Sequence, residues 1–416
     1  MLLFMALRIC TSAQSGGSDD AVTPPPGVVL TSLSTSDDIA SAMSLQYDGM
    51  IVVSGFCNAS FTLLKYTPEG RLDPSFGTGG VVKTIHKTVE DRSSATLVLG
   101  DGKILMAGSL YDNNAMYFAM VRYQPDGNWD TTFGNKGLIV RSIGEGDDVA
   151  TSMALQPDGK IIVAGSSTNG NYEDFALVRF NYNGTMDSTF GKNGMVISNI
   201  SSGDDRIAAV TLQRDGKIVA AGSANTDFGV ARYLPNGEPD RSFGANGIVI
   251  KSLQNGEDLA QGVTIQPDGK IIVAGSSFNG DNFDFAVARF TPEGRLDKTF
   301  GKEGIVLTPV GDGDDKVNAL ALQPDGKIIL AGSSDNGAAN DIALMRFSNS
   351  GTADESFGKK GLVITSVQKG DENAYCIALQ KDLKIVVAGN SNNGFNNDFI
   401  IIRYLPDGTL DPDFGR

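Results

Sequence analysis

Apolar residues along this chain gather in short runs, rich in β-branched and aromatic types and punctuated by Gly, Pro, Asn and Asp. The clearest stretch begins with the run Ala150–Gln156, which ends at Pro157-Asp158-Gly159, residues that supply turn backbone angles. Lys160–Gly165 is a second run, Ser166–Glu173 a polar loop, and Asp174–Phe180 a third run. After a turn at Asn183-Gly184 the segment Met186-Asp187-Ser188-Thr189-Phe190-Gly191 leads to a fourth run, Gly194-Met195-Val196-Ile197. No segment carries a helical period. The pattern predicts four short antiparallel strands, A to D, in one unit.

That unit recurs. Its turn glycines are Gly49, Gly102, Gly159, Gly216, Gly269 and Gly326, with Leu383 in the seventh place, spaced 53, 57, 57, 53, 57 and 57 residues apart. A period this long with strand content indicates a propeller or a solenoid. The ends of the chain choose between them. The last unit stops at Arg416 without a strand D, whereas Gly27-Val28-Val29-Leu30, ahead of the first full unit, matches Gly194-Met195-Val196-Ile197. The predicted fold is an all-β, seven-bladed β-propeller of four-stranded antiparallel blades, residues 27–416, closed by the N-terminal strand completing the last blade. Closure hides a sheet edge that would otherwise invite aggregation.

The Gln-Pro-Asp-Gly-Lys-Ile turn (Gln156–Ile161), the Asp-Phe-Ala-Leu-Val-Arg strand (Asp174–Arg179) and the Leu-Asp-x-x-Phe-Gly segment (Leu296–Gly301) resemble the delta-60 repeat family of bacterial, mostly exported proteins. The resemblance runs from about Gly27 to Arg416. It implies a propeller-like fold in a surface or secreted protein and carries no catalytic motif. Met50, Lys65 and Leu383 depart from the pattern, all in the first or last copy.

Every strand C ends in a basic residue: Lys65, Arg122, Arg179, Arg232, Arg289, Arg346 and Arg403. The following segment carries Asp73, Asp130, Asp187, Asp240, Asp297, Asp354 and Asp411. A pair present in every unit specifies geometry rather than seven ligand sites, so a salt bridge within each blade is expected. Phe76, Phe133, Phe190, Phe243, Phe300, Phe357 and Phe414 are expected to fill space between blades.

Acidic pairs precede strand A: Asp37-Asp38, Glu90-Asp91, Asp147-Asp148, Asp204-Asp205, Glu257-Asp258, Asp314-Asp315 and Asp371-Glu372. The D–A and B–C loops emerge on one propeller face, and Asp174, Asp227, Asp284, Asp341 and Asp398 begin strand C there. Asp148, Asp205, Asp258 and Asp315 with these five are candidate oxygen ligands for Ca²⁺. The competing reading is local: Asp and Asn side chains accept backbone donors in turns. No loop has the spacing of a dedicated calcium site.

Positions that differ between copies carry more functional information than those that repeat. Ten residues before the turn glycine stand Ile39, Arg92, Val149, Arg206, Leu259, Lys316 and Asn373. Eight before it stand Ser41, Ser94, Thr151, Ala208, Gln261, Asn318 and Tyr375. These lie at the entry of the innermost strands. Arg92, Arg206, Lys316, Gln261, Asn318 and Tyr375 form the expected recognition patch on the channel rim, with drift at a tolerant surface as the alternative.

Composition narrows the function further. The chain has 416 residues and a net charge of −15, which disfavours nucleic acid as a partner. The one histidine, His86, lies in the second D–A connection, which disfavours a nucleophilic triad, and no phosphate loop or zinc-hydrolase motif occurs. Of three cysteines, Cys10 lies in the leader. Cys57 and Cys376 stand in neighbouring blades and leave a single bridge conceivable. Met1–Leu7 is a short apolar run, followed by small residues and a Ser/Gly/Asp-rich linker ending at Pro24-Pro25-Pro26. Residues 1–26 are expected to be a start-truncated signal peptide and a flexible linker, and no later run is long enough to span a membrane. The sequence points to a monomeric, exported, non-enzymatic binding or display scaffold for a protein or glycan, secreted, at the cell surface or in the periplasm. Two alternatives stand beside it: a Ca²⁺-dependent hydrolase or lyase at the channel mouth, and a purely structural module of a surface assembly.

Overall fold

A computed structural model describes residues 24–58, 60–84, 92–112 and 114–416. The leader through Thr23, with Cys10, and also His86 and the pair Glu90-Asp91 lie outside the described residues.

The strands form seven four-stranded antiparallel sheets. Six take their strands consecutively from the chain. The seventh combines Glu372–Leu379, Ile385–Asn392 and Asn397–Tyr404 with the first strand of the protein, Val28–Thr31. Val28 pairs with Ile402 and Thr31 with Phe399, so the closure read from the sequence is the observed one. Strand A of each blade is innermost and packs against strand A of both neighbours, including first against last.

In the third unit the strands run further than the pattern predicted. Strand B spans Ile161–Asn169 and strand C Tyr172–Phe180, leaving Gly170-Asn171 as the turn between them where a long polar loop was expected. Cross-strand pairing of Ser167 with Asp174 and Thr168 with Glu173 explains the difference: a polar sequence extends a hairpin when its backbone partner is already in register.

There is no single core. Seven hydrophobic clusters each lie between two adjacent blades. Strands B and C are therefore buried on both faces, and Ile161–Ser167 reads as an unbroken apolar and small run rather than an alternating one. The outermost strands, such as Met195–Ser198 and Ile305–Thr308, have four residues each. Short edges limit the backbone offered to other chains.

The recurring phenylalanines sit between blades as expected, and the structure shows what they meet. Phe133, fully buried, lies beneath the C–D turn of the next blade, where a Cβ on Gly184 would come within 2.9 Å of its ring. Gly184 also has φ +87°, so both backbone and space demand glycine there. Beside each phenylalanine runs a backbone bond to the next blade, Gly134 N–H to Asn183 O at 3.0 Å and Gly301 N–H to Ser350 O at 2.9 Å among them.

The Arg–Asp pairs are present and do more than brace one blade. Arg179 donates from Nε to Asp187 at 2.8 Å and from a terminal nitrogen to the Pro235 carbonyl of the next blade at 2.5 Å. Arg232 and Arg289 repeat this with Asp240 and Asp297, and with Pro292 and Asn349 of the next blade. Each guanidinium also lies over its own blade's phenylalanine, 4.6 Å from the ring centre for Arg289 and Phe300. The lysine of the A–B turn completes the set: Lys160 reaches Asp187 at 3.1 Å. Lys65 in the first blade keeps the pair with Asp73 at 3.4 Å.

Cys57 and Cys376 are both free thiols, so the conceivable bridge is not formed. Cys57 faces Lys83, whose ammonium donates to its sulfur at 3.0 Å. Among the described residues no helix is long and apolar enough to cross a membrane.

Candidate binding site at the channel mouth

The channel wall is built by one device repeated seven times. Strand A breaks register with strand B at Ser41, Ser94, Thr151, Ala208, Gln261, Asn318 and Tyr375, one residue in each blade. A bulge of this kind re-aims a side chain. All seven line a central cavity of about 850 Å³ or adjoin residues that do. The opposing residue in strand B is always glycine. A Cβ on Gly275 would stand 1.8 Å from the carbonyl oxygen of Leu259, so no side chain fits opposite the bulge. In the sequence this constraint shows as the Ala-Gly pair in the middle of strand B, Ser54-Gly55 in the first blade.

Of the six rim residues expected from the sequence, Arg206, Gln261, Asn318 and Tyr375 line the cavity. Lys316 does not. Its ammonium pairs with Asp314 at 3.0 Å and lies 5.5 Å from the centre of the Phe283 ring, on the loop side of the strand. Arg92 opens strand A of its blade, and its side chain lies outside the described set. Arg206 is held by Glu173 and by Asp204 at 3.0 Å. Ile39, Phe56 and Leu259 supply an apolar part of the mouth, and Met43, Met153 and Ile377 line the wall below the bulges.

Hydrogen bonding divides the polar bulge residues. Thr151 donates its hydroxyl to the Ile207 carbonyl of the next blade at 2.6 Å. Asn318 donates its amide to the Ala374 carbonyl at 2.9 Å, and Ser41 its hydroxyl to Ser54 O at 3.3 Å. Burial pushes the Tyr375 hydroxyl upward, helped by the nearby Asp371 charge, so it stays a protonated donor at neutral pH.

The aspartates proposed as calcium ligands are distributed differently. Asp148, Asp205, Asp258 and Asp315 are fully buried and accept amides of the loop that precedes them, as Asp38 does in the first blade. Leu253 N–H reaches Asp258 at 2.7 Å and Val310 N–H reaches Asp315 at 2.6 Å. Ser167 adds its hydroxyl to Asp148 at 2.6 Å. The first acid of the pair bonds to the preceding blade instead, as Asp314 does with Phe283 N–H at 3.1 Å. The strand C group is capped by the B–C turn: Asn279 donates to Asp284 at 3.0 Å, Asn336 to Asp341 at 2.7 Å and Asn393 to Asp398 at 3.0 Å. Asp174 receives a second amide, from Asn199 at 3.0 Å, while Asp227 in the shorter fourth blade is half-buried. Among the described residues no three carboxylate, thiol or imidazole groups converge on a point where one ion would sit. The geometry is that of backbone capping.

Burial pushes the carboxyls of Asp258, Asp315 and Glu372 upward, and the neighbouring charges of Asp227, Asp284 and Asp341 add to it. The aspartates paired with the strand C arginines move the other way. Burial alone would raise Asp240 and Asp297, but the Ser242 and Thr299 hydroxyls and amides, with Arg232 and Arg289, outweigh it and hold both at about 2.

Comparison with known proteins agrees with this architecture. Residues 99–133, 156–190, 213–243, 266–300, 323–357 and 380–414 match the family described as "Domain of unknown function (DUF5122) beta-propeller", and residues 305–338 match the WD domain, G-beta repeat. The first blade, where Met50 and Lys65 depart from the motif, is not matched. No curated protein matches the sequence. Among solved structures, a streptogramin B lyase superposes with a TM-score of 0.54 at 14% identity, covering 91% of this chain and 97% of that one. Virginiamycin B lyase from Staphylococcus aureus superposes with a TM-score of 0.54 at 12% identity, covering 91% and 98%. At such identities the likeness is one of fold alone. The repeated match, over six of the seven blades, and the seven sheets together support a β-propeller built from repeats.

Proposed function

We infer that the chain is an exported, non-enzymatic binding scaffold that takes its ligand at the mouth of the central channel. One observation carries this reading. The residues that hold blades together repeat almost unchanged, whereas the seven bulge positions, all aimed at one cavity, run from Ala208 to Tyr375. A rigid frame with one varied, convergent set is the usual arrangement of a recognition site. The delta-60 likeness and the apolar run Met1–Leu7 support export.

Ala208→Trp tests the site by filling the channel from a bulge that already tolerates change. The purified protein and the variant are applied to printed glycan and peptide arrays, and bound array members are then checked for cleavage by mass spectrometry. The wild type should bind a subset that the variant, with an unchanged melting temperature, loses. Equal binding by both proteins would put the ligand away from the channel, blank arrays for both would favour a purely structural module, and cleavage products would make the protein an enzyme. Secretion is checked by finding the chain in culture medium with an N-terminus beyond the leader.

A further inference from the structure

We propose that the ligand is a neutral oligosaccharide, seated with one sugar face on Tyr375; this rests on the channel reading above. The argument begins with charge. The bulge ring is uncharged in all seven blades, and so are the wall positions beneath it, Met43, Thr96, Met153 and Ile377 among them. Arg206, at the mouth, is neutralised by Glu173 and Asp204. A charged group brought into this cavity would lose part of its hydration and, among the described residues, find no unpaired counter-ion, an unfavourable exchange. An anion would also meet the repulsion of the acidic loops around the entrance.

Hydrogen-bond polarity narrows the choice further. Ser41 and Thr151 each spend their only donor on a backbone carbonyl, which leaves their oxygens to accept from the channel side, and Asn318 spends one of its two donors in the same way. A ligand rich in donors suits such a wall. Gln261, exposed toward the channel, offers both a donor and an acceptor, and Tyr375 offers a ring face with a protonated hydroxyl. Neutral, rich in hydroxyl donors and carrying one apolar C–H face is the chemistry of a sugar ring. The cavity of about 850 Å³ falls in the range of roughly 300–1,000 Å³ that encloses ligands of a few rings.

Calorimetry of the full chain with maltotriose, cellotriose and mannotriose, beside trigalacturonate and the glucosamine trimer as charged counterparts, decides the matter. At least one neutral trisaccharide should bind. Tyr375→Ala and Gln261→Ala should each weaken it by about tenfold, the loss expected for a stacked ring or a buried hydrogen bond. Tyr375→Phe, which keeps the ring, should retain most of the affinity, and Tyr47→Ala, at an A–B turn on the opposite face, all of it. Binding of only a charged trimer, sensitive to Tyr375→Ala, would overturn the neutral class and leave the channel site standing. A neutral trisaccharide whose affinity is unchanged in both alanine variants would overturn the site as well. Absence of heat with all five sugars would overturn the oligosaccharide, while array binding lost in Ala208→Trp would still report on the channel.

Discussion

The backbone N–H of Gly415 donates to the carbonyl of Glu69 at 2.8 Å, tying the penultimate residue to the first blade. It is the bond that joins every other neighbouring pair, as from Gly134 to Asn183. The seam therefore has no special chemistry. Around it, Arg403 reaches Pro68 O, Asn397 N–H reaches Asp37 at 3.0 Å, and the Phe414 ring sits against Gly70.

Deleting residues 27–31 removes the outer strand of the last blade and uncovers Ile400 and Ile402, both buried. The melting temperature of the whole domain should fall, because every blade depends on both neighbours. Phe414→Ala probes the same seam with a smaller lesion and should destabilise by about 3–5 kcal/mol, the range for a buried aromatic. Thermal denaturation measures both, and an unchanged midpoint for the deletion would contradict a closed ring.

Asp297→Ala should be among the most damaging single changes outside the hydrophobic clusters. It strands Arg289, 3% exposed, and removes the cap on Thr299. Breaking one partner of a buried pair costs about 3–5 kcal/mol. Chemical denaturation of Asp297→Ala beside Lys270→Ala separates the terms, because the lysine, at 3.3 Å from the same carboxylate, is partly exposed and should matter far less.

Stability should depend on pH in two opposite senses. The arginine-paired carboxylates of Asp240 and Asp297 are held at about 2 in the fold, below the ordinary value of about 4, so their contribution is present above that value and lost as pH falls towards 2. Asp258, Asp315 and Glu372 are raised, so they favour the fold most when protonated, and their contribution declines as pH climbs from about 4 through their folded values. Asp284→Asn removes the charge facing Asp315. Asp284 has a buried oxygen with no donor, at the position where Asp174 is served by Asn199. This variant should melt higher at neutral pH, by about 1 kcal/mol of stability, with a flatter profile above pH 4. Melting curves from pH 2 to 8 test it.

Leu383 occupies the turn position that is glycine in the other six blades and holds φ at +66°. A non-glycine residue there carries about 1–2 kcal/mol of strain. Leu383→Gly should therefore stabilise the protein by somewhat less, about 0.5–1 kcal/mol, since glycine loses more freedom on folding. An equal or lower midpoint would show that the leucine side chain, 38% exposed, packs usefully.

Much of the molecule is a local matter and was legible in the residues. Turns follow from Pro-Asp-Gly and Asn-Gly, strands from β-branched runs, blade number from the period, and closure from a strand missing at one end and present at the other. The Arg–Asp pairs were visible too, because a repeated contact leaves a repeated sequence. The second bond of each arginine was not, since its partner is the backbone carbonyl of Pro235 or Asn349 and carries no side-chain signature. Likewise the carboxylates of Asp148 and Asp315 looked like free ligands until the chain folded around them and brought amides within reach. The sequence alone determined which positions vary. Only the tertiary structure decided that those positions bulge and face one cavity, that Lys316 turns away from it, and which of their polar atoms stay free. Side-chain direction at a bulge depends on the neighbouring strand and blade, and neither neighbour is written into the residue itself.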